Sequence, residues 1–429
     1  MRILSVFKDA LNDMTNRLFL TLIIIIQLVV ALVVLFNGLN FTYSNYRNMD
    51  KIKSLYDVGN INKIQMQNDT DNFIRVRSKE EDFGEKINEY NDFCQNSSDF
   101  SCVRFTRSPV FIKYYKDCDK FSLDGKDQVI NNIKYTVPCT LQGDKNYFDT
   151  FKYDVIEGRN FEEDDFKREN SEKYQEVPII LGNNYSSVYG IGDTIMSLSD
   201  DSDQQVKLRV IGILAKNQYF TDGGLSAQGL YNTDNYILFP IKDLKSNLTN
   251  EDVNEFLQSF FDSMIISKKD SEYLEKIINE KAKSLNLFEA EIQNGEDKMQ
   301  YNYDMITKLL AGYLIIFFIL ILFTSINVIT SMTSYIQQKK KELAINVLCG
   351  ANRIDLSLRI FFQNFIMIFF SCITSYGITR ALNAKSMVVI RKEVVLVVVF
   401  ICILLLLLIS IIPVIKLYSL DLNAKIKED

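Results

Sequence analysis

Four long apolar segments dominate the pattern of hydrophobic and polar positions along this chain. They span residues 18–41, 309–336, 360–379 and 394–415, and almost no charged residue interrupts them. A helix needs about 20 apolar residues to cross the roughly 30 Å hydrocarbon core of a bilayer, and each segment reaches that length. The pattern therefore predicts four transmembrane helices, one near the start of the chain and three in its last third.

Between the first and second apolar segments lies a polar stretch, residues 42–303, that is large enough to form its own hydrophobic core. It contains 32 basic and 45 acidic residues, a net charge of −13, whereas the rest of the chain carries +7. The predicted fold class is a membrane α-helical protein with four transmembrane helices arranged 1+3. A large α+β extracytoplasmic domain is inserted between helices 1 and 2.

The flanking charges predict the orientation of the chain in a cell (plasma) membrane. Lys and Arg residues cluster before the first segment, after the fourth, and in the loop 337–359. The positive-inside rule then places both termini and this loop in the cytoplasm, with the large domain outside. The short loop assigned to the outside contains four basic residues, which does not agree with the positive-inside rule. They are Arg380, Lys385, Arg391 and Lys392.

Residues 1–17 have the spacing of a short amphipathic helix. Its expected apolar face consists of Leu4, Phe7, Leu11 and Met14, and its polar side of Lys8, Asp9, Asn12 and Asp13. Such a helix would lie on the inner membrane surface. A plain cytosolic extension of the first transmembrane helix is the alternative.

The residue types present exclude several classes of chemistry. The chain has no histidine, which removes Ser-His-Asp and Cys-His catalytic systems and HExxH zinc sites. It also has no nucleotide-hydrolysing P-loop motif. We therefore expect no enzyme activity, no metal and no cofactor in this chain. The acidic polar domain argues against nucleic acid as a partner.

Four cysteines fall in the predicted extracytoplasmic domain: Cys94, Cys102, Cys118 and Cys139. An even number on the oxidising side of the membrane indicates two disulfides. Three pairings are open, and four free thiols are the alternative.

The polar domain shows two levels of organisation. Strand-helix-strand patterns at its two ends, about 47–115 and 250–303, predict a ferredoxin-like α+β layer near the membrane, built from discontinuous pieces. Residues from about 116 to 250 predict a strand-rich insertion.

Four segments of this insertion resemble the periplasmic core of MacB-type permeases. They are "NYFDTFKYDVIEGRNFEEDDF" (146–166), "VPIILGNNYSSVYGIGDTI" (177–195), "LRVIGIL" (208–214) and "NYILFPIKDL" (235–244), in the family's order. The segment "KKKELAINVLCGANRIDLSLRIFFQ" at 339–363 resembles the FtsX-domain pattern R-E-I-G-I-x-R-A-L-G-A. Residues 304–429 as a whole resemble an FtsX-like domain. The chain departs from the family pattern at Ala344, Val347 and Gln363.

The resemblance to the FtsX/MacB-like permeases of ABC transporters implies a permease subunit powered by a separate ATP-binding subunit. It implies a cytosolic helix within 341–353 that docks on that ATPase, with Leu343 as an apolar anchor. The expected docking residues are Lys341, Glu342, Leu343, Ile345, Gly350, Ala351 and Arg353. A basic loop held only by lipid headgroups is the alternative.

Further expectations concern partners and function. The family pattern implies a second permease copy, identical or related, and an extracytoplasmic adaptor, with membrane lipids around the helices. ATP would act only through the partner ATPase. The function implied is export or extrusion of a peptide, an antibiotic or a lipid-linked cargo. A regulator of cell-wall hydrolases and a membrane sensor without transport are the alternatives.

Overall fold

The structure is a computed structural model and forms two compact units, which we describe separately. The helical unit comprises Met1–Arg47 and Tyr303–Asp429, and the α/β unit comprises Asn48–Asn302. The residues that the structure describes are 2–66, 82–114, 118, 121, 128–130, 132–167, 176–198, 205–221, 223–241, 253, 256–257, 259–260, 263–287, 289–348, 352–383 and 390–419.

The described helices are numbered in chain order. They are α1 (Arg2–Thr15), α2 (Leu18–Leu55), α3 (Phe83–Asn96), α4 (Lys145–Thr150), α5 (Ser271–Ser284), α6 (Gly295–Gln338), α7 (Lys340–Leu348), α8 (Arg353–Asn383) and α9 (Lys392–Tyr418).

The described strands are numbered in the same way. They are β1 (Ile61–Met66), β2 (Ser101–Val103), β3 (Phe105–Thr106), β4 (Phe111–Lys113), β5 (Gln128–Ile130), β6 (Ile133–Thr136), β7 (Cys139–Gly143), β8 (Val155–Gly158), β9 (Glu176–Leu181), β10 (Thr194–Leu198), β11 (Gln205–Leu214), β12 (Tyr219–Thr221), β13 (Leu230–Asn232), β14 (Tyr236–Pro240), β15 (Met264–Ile266) and β16 (Ala290–Asn294).

Four of the described helices, α2, α6, α8 and α9, are long and apolar enough to cross a membrane. Each contains one of the apolar segments that the sequence indicates. With 38 and 44 residues, α2 and α6 are far longer than a membrane requires. At 1.5 Å per residue they measure about 57 Å and 66 Å. Both helices therefore continue well past their apolar parts.

The four spanning helices share one hydrophobic core, while large apolar side chains cover their outer faces. Core residues from each helix include Leu28, Leu32, Phe36, Val328, Met367, Val398, Leu405 and Ile409. A polar contact lies within this core, where Asn364 Nδ2 donates to Ser410 Oγ at 3.0 Å. This bond joins α8 to α9 and satisfies two polar groups in an apolar surrounding.

Helices α2 and α6 lie close together at Gly38. A Cβ atom at this position would lie 2.6 Å from the Cβ of Tyr313, so only glycine fits. Further along the pair, Tyr46 Oη and Thr307 Oγ1 are 2.6 Å apart, and the rings of Tyr46 and Tyr303 have centroids 5.6 Å apart. The two helices therefore stay in contact beyond their apolar segments.

The α/β unit contains a four-stranded antiparallel sheet in the order β16-β1-β15-β2. The chain order is β1-α3-β2, then β15-α5-β16, which is the connectivity of a ferredoxin-like fold. Both helices contribute to one core with the sheet, through residues that include Ile64, Ile87, Tyr90, Ile265, Leu274, Ile278 and Ile292.

A larger mixed sheet follows the order β3-β7-β14-β9-β11-β10-β4-β6-β5, and β8 pairs with β11. Its parallel pairs are β7 with β14 and β9 with β11. Gly158 and Arg159, from the first of the four MacB-like segments, lie at the end of β8. Gly158 has φ +79°, and a Cβ there would meet the carbonyl oxygen of Ile211 at 2.1 Å. Arg159 then pairs with Asp165 through two hydrogen bonds of 2.6 and 3.0 Å.

A buried ion pair lies where the chain leaves the small sheet for the large one. Arg104 separates β2 from β3, and its Nε is 3.3 Å from Asp144 Oδ2. Asp144 also caps α4, because its Oδ1 accepts the backbone N–H of Tyr147 at 2.8 Å. Burial raises the pKa of Asp144, and Arg104 opposes this rise. The pair thus ties the crossing point to the start of α4.

Candidate coupling site

The segment expected to contact an ATPase forms α7 and the start of α8. Lys341 and Ile345 are exposed on α7, and Ile345 is 58% exposed. Arg353 begins α8, and its Nη1 donates to the carbonyl oxygen of Tyr418 at 3.2 Å. Gly350 and Ala351 lie outside the described residues. Of the expected docking residues, Ile345 offers the largest described apolar surface.

Leu343 has a different role from the one that the sequence indicated. Its side chain is only 3% exposed, so it does not form an anchor at the surface. It packs inside a small core with Tyr335, Ile336, Ala344, Leu356, Ile360 and Leu417. These residues belong to α6, α7, α8 and α9. Leu343 therefore holds α7 against its own helices.

Beside this core, a buried ionic cluster joins α1 to α6 and α8. The carboxylate of Asp13 is 4% exposed. Arg359 donates to it from Nε at 2.6 Å and from Nη2 at 2.7 Å, which is a bidentate pair. Gln363 Nε2 donates to Oδ2 of the same carboxylate at 2.9 Å, and the hydroxyl of Tyr335 donates to Oδ2 as well.

Glu342 links this cluster to α7. Its Oε1 accepts a hydrogen bond from Arg359 Nη2 at 3.4 Å, and its Oε2 pairs with Lys339. Arg359 therefore contacts one carboxylate on α1 and one on α7. The guanidinium of Arg17 lies over the ring of Tyr335, 4.0 Å from its centroid, and adds a further cation on the side of α6.

This arrangement can fix the position of α7 relative to the spanning helices. A bidentate Arg–carboxylate pair has a defined geometry and is stronger than a neutral hydrogen bond. Removing one partner of such a buried pair leaves an uncompensated charge, which typically destabilises by about 3–5 kcal/mol. Glu342, Arg359 and Asp13 therefore connect α7 to α8 and α1.

The structure buries a side of α1 that differs in part from the expected apolar face, and the position of this helix on the membrane surface stays a prediction. Leu4 and Leu11, assigned to its apolar face, are exposed, whereas Asp13, assigned to its polar side, is buried. Val6 and Ala10 are buried as well. The buried side of α1 packs on α8, where Asp13 pairs with Arg359.

Sequence reasoning missed Asp13, Tyr335 and Gln363 as members of a site. A signal was present, because Arg359 and Gln363 lie one turn apart at the start of an apolar helix. Ionisable and amide side chains in such a position usually have a partner. The partner is Asp13, 346 residues earlier in the chain, and nothing in the spacing of the residues predicts its position.

In the α/β unit, residues of α2 and α6 hold one short segment, the loop 223–229. Asn48 of α2 donates to the carbonyl oxygen of Ala227 at 2.9 Å, and Asn302 of α6 donates to that of Leu225 at 3.1 Å. Leu225 is buried and has φ +48°, a conformation that leucine rarely adopts. Both long helices therefore contact the same constrained loop.

The four cysteines of the α/β unit fall into different environments. Cys94 of α3 and Cys102 of β2 are buried in one core, and the thiol of Cys102 donates to Ser263 Oγ at 3.9 Å. Cys118 is buried and Cys139 is half-buried in β7. Cys94, Cys102 and Cys139 are free thiols in the structure. The disulfides and their pairing stay a prediction.

Comparisons with known proteins connect these features to a family. The family described as "MacB-like periplasmic core domain" matches residues 18–280, more than half of the chain, and "FtsX-like permease C-terminal" matches residues 314–422. A comparison with curated proteins finds no match.

Solved structures similar to the chain include two domains of bacterial transporters. The periplasmic region of MacB from Actinobacillus actinomycetemcomitans is 17% identical, with a TM-score of 0.33, over 59% of this chain and 97% of that one. The extracellular domain of the noncanonic ABC-type transporter YknZ from Gram-positive bacteria is 15% identical, with a TM-score of 0.30, over 55% of this chain and 100% of that one. The two family matches agree with the four apolar helices and the large α/β domain of extracellular type. The chain therefore belongs to the MacB/FtsX-like family of ABC transporter permeases.

Proposed function

We propose that this chain is the permease subunit of an ABC transporter and converts ATP hydrolysis by a separate subunit into movement of its extracytoplasmic domain. The work performed is export or extrusion of a peptide, an antibiotic or a lipid-linked cargo. The residues of this chain contain no P-loop, which supports ATP binding by a separate subunit. An extracytoplasmic adaptor and membrane lipids complete the set of partners.

The observation that carries this proposal is the way in which α7 packs against the spanning helices. Its inner side is fixed by Leu343 in the small core and by Glu342 on Arg359, while Ile345 remains exposed on its outer side. A short helix that is rigidly attached to the spanning helices, with an uncovered apolar residue, suits a protein contact that transmits force. A loop held only by lipid headgroups would not need such packing.

The proposed topology has one helix before the extracytoplasmic domain and three after it, with both termini and α7 in the cytoplasm. Two permease copies would face the two ATP-binding subunits, which close around ATP as a dimer. In this arrangement α2 and α6 act as levers. Their contact beyond the apolar segments, through Tyr46 and Thr307, supports a role as one stiff unit.

The experiment replaces Ile345 by Asp and measures co-purification with the ATP-binding subunit together with substrate-stimulated ATP turnover. An exposed apolar residue at the centre of a small interface typically contributes about 2 kcal/mol or more to binding. We expect association to weaken about 30-fold or more, because 1.4 kcal/mol is a factor of ten. Membrane insertion should be unchanged, because Ile345 lies outside the apolar segments.

The matched control is Leu4→Asp, which places the same charge on another exposed residue of the helical unit. Leu343 is unsuitable for this test, because an Asp in its buried position would disturb the fold of α7 itself. If Ile345→Asp and Leu4→Asp both leave association and turnover unchanged, α7 is not the docking site. The sensor without transport would then become the better explanation of this chain.

A further inference from the structure

Of the four spanning helices in the described part of the chain, α6 is the least covered. Only 17% of the residues in its most apolar stretch are buried, compared with 33% for α2, 50% for α8 and 33% for α9. Its uncovered side chains include Ile315, Phe318, Ile319, Leu322, Phe323 and Ile326. A large part of α6 is therefore available to lipid or to another protein.

A carboxamide interrupts this apolar surface. Asn327 is exposed, and its Nδ2 donates to Gln27 Oε1 of α2 at 3.1 Å. Gln27 lies nine residues after the start of the segment 18–41, and Asn327 lies nine residues before the end of the segment 309–336. These are the ends expected on the cytosolic side, so both side chains lie within the hydrocarbon core of the bilayer. Polar groups at this depth are costly unless they are hydrogen-bonded, because lipid chains offer no partner.

The pair has hydrogen-bonding capacity left over. Among the hydrogen bonds between described residues, Asn327 Oδ1 accepts none and Gln27 Nε2 donates none. Asn327 Oδ1 can therefore act as an acceptor and Gln27 Nε2 as a donor to a further partner. Thr330 and Ser334 follow on the exposed side of α6, three and seven positions after Asn327, and extend the polar surface.

We propose that Gln27 and Asn327 form the membrane contact between two copies of this chain. Under a two-fold axis, Gln27 Nε2 donates to Oδ1 of the partner's Asn327, and the partner's Gln27 donates to Asn327 Oδ1. The four carboxamides then close a ring of four hydrogen bonds, two within the copies and two between them. This inference rests on the proposed function, which requires two permease copies, and names the surface through which they meet.

A second copy fits this surface better than other occupants. Acyl chains would leave both free groups without a partner. A two-fold contact needs a surface that complements itself, with one donor for each acceptor, and the Gln27–Asn327 pair has this property. Amide side chains are known to hold membrane helices together in the same way.

The first test places the photo-crosslinker p-benzoylphenylalanine at position 327 of the full-length chain, produced with its ATP-binding subunit in membranes. The matched control is position 374, where Thr374 is exposed on a different spanning helix, α8. Irradiation should give an adduct of twice the chain mass from position 327, at least tenfold more than from position 374. Equal yields, or an adduct only from position 374, would overturn the proposal. An adduct with a protein of another mass would overturn it in favour of a non-identical permease.

The second test measures the fraction of dimers in lipid nanodiscs for Asn327→Leu, Gln27→Leu and the control Thr374→Leu. The dissociation constant of the dimer should rise about tenfold for the first two variants, as expected when a polar contact inside a bilayer is lost. If the unchanged chain forms dimers that these variants do not weaken, the interface is wrong and the transporter function stands. If the unchanged chain forms no dimers with its ATPase bound, the two-copy transporter fails with it.

Discussion

The carboxylate of Asp13 accepts hydrogen bonds from Tyr335, Arg359 and Gln363, which lie on two other helices. Because Arg359 also reaches Glu342, the loss of Asp13 would change the electrostatic balance around α7 as well. The residue is therefore a sensitive position for both stability and coupling.

Replacing Asp13 by Ala should destabilise the helical unit by about 3–5 kcal/mol, because it leaves the buried guanidinium of Arg359 without its main partner. Thermal unfolding of the full chain in detergent, followed by the loss of helical signal, measures the effect. The control is Asp9→Ala, which removes the same charge from an exposed position on the same helix. Similar melting temperatures for the two variants would show that the buried pair contributes little.

The thiol of Cys94 provides a prediction about pH. Burial raises the pKa of Cys94 well above its ordinary value of 9.0. A thiol with a raised pKa stays protonated, so its contribution to stability is present below the ordinary pKa and is lost as the pH rises above it. Since only the thiolate is alkylated, folded protein should show no increase in Cys94 alkylation between about pH 7 and pH 9.

Mass analysis after alkylation in the folded and the urea-unfolded protein tests this expectation, and the unfolded sample serves as the control. Alkylation of folded protein that rises steeply with pH would contradict a buried, protonated thiol. The same experiment without reductant tests the disulfide prediction, because a bridge between Cys94 and Cys102 removes both thiols from alkylation even after unfolding.

At the scale of elements, the hydrophobic pattern predicted where the spanning helices lie but not where they end. Helices α2 and α6 continue through polar residues, because Tyr46, Tyr303 and Thr307 let the two helices support each other there. Periodicity indicates that a side chain is buried but not what covers it. Leu343 and Asp13 illustrate this limit, since one is covered by its own chain and the other by a distant arginine.

Replacing Gly38 by Leu should separate α2 from α6, because even a Cβ atom would lie 2.6 Å from Tyr313. Forcing a large side chain into such a contact typically destabilises by about 1–3 kcal/mol. The matched control is Gly312→Leu, at a glycine of α6 whose Cβ would have no neighbour within 4 Å. Protease resistance of the membrane-inserted chain should fall for Gly38→Leu and stay unchanged for Gly312→Leu. A similar resistance of both variants would refute the close approach.

At the scale of the whole molecule, the family and the two-part composition could be predicted from sequence motifs and charge. The order of the strands could not, because neighbours in a sheet need not be neighbours in the chain. Asn62 of β1 pairs with Asn294 of β16, more than two hundred residues later. Local patterns identify such strands singly, whereas their pairing depends on the packing of α3 and α5 across the sheet.

The proposed topology is tested by labelling introduced cysteines in intact cells with a membrane-impermeant maleimide. Val129→Cys lies at an exposed position of the α/β unit and should react, whereas Leu4→Cys, exposed on α1, should react only after the cells are opened. The unchanged chain provides the background from its own cysteines. Reaction of both positions in intact cells would place them on one side of the membrane and refute the topology.

The contact between Asp13 and Arg359 has a consequence for the synthesis of the protein. The two residues are 346 positions apart. At about 5–20 residues per second, a ribosome needs about 17 to 70 s to proceed from one to the other. Until Tyr335 and then Arg359 have been made, the carboxylate on α1 lacks these hydrogen-bond partners. The bidentate ion pair of α1 can therefore form only after α8 has been made, and a chain that stops short of Arg359 lacks it.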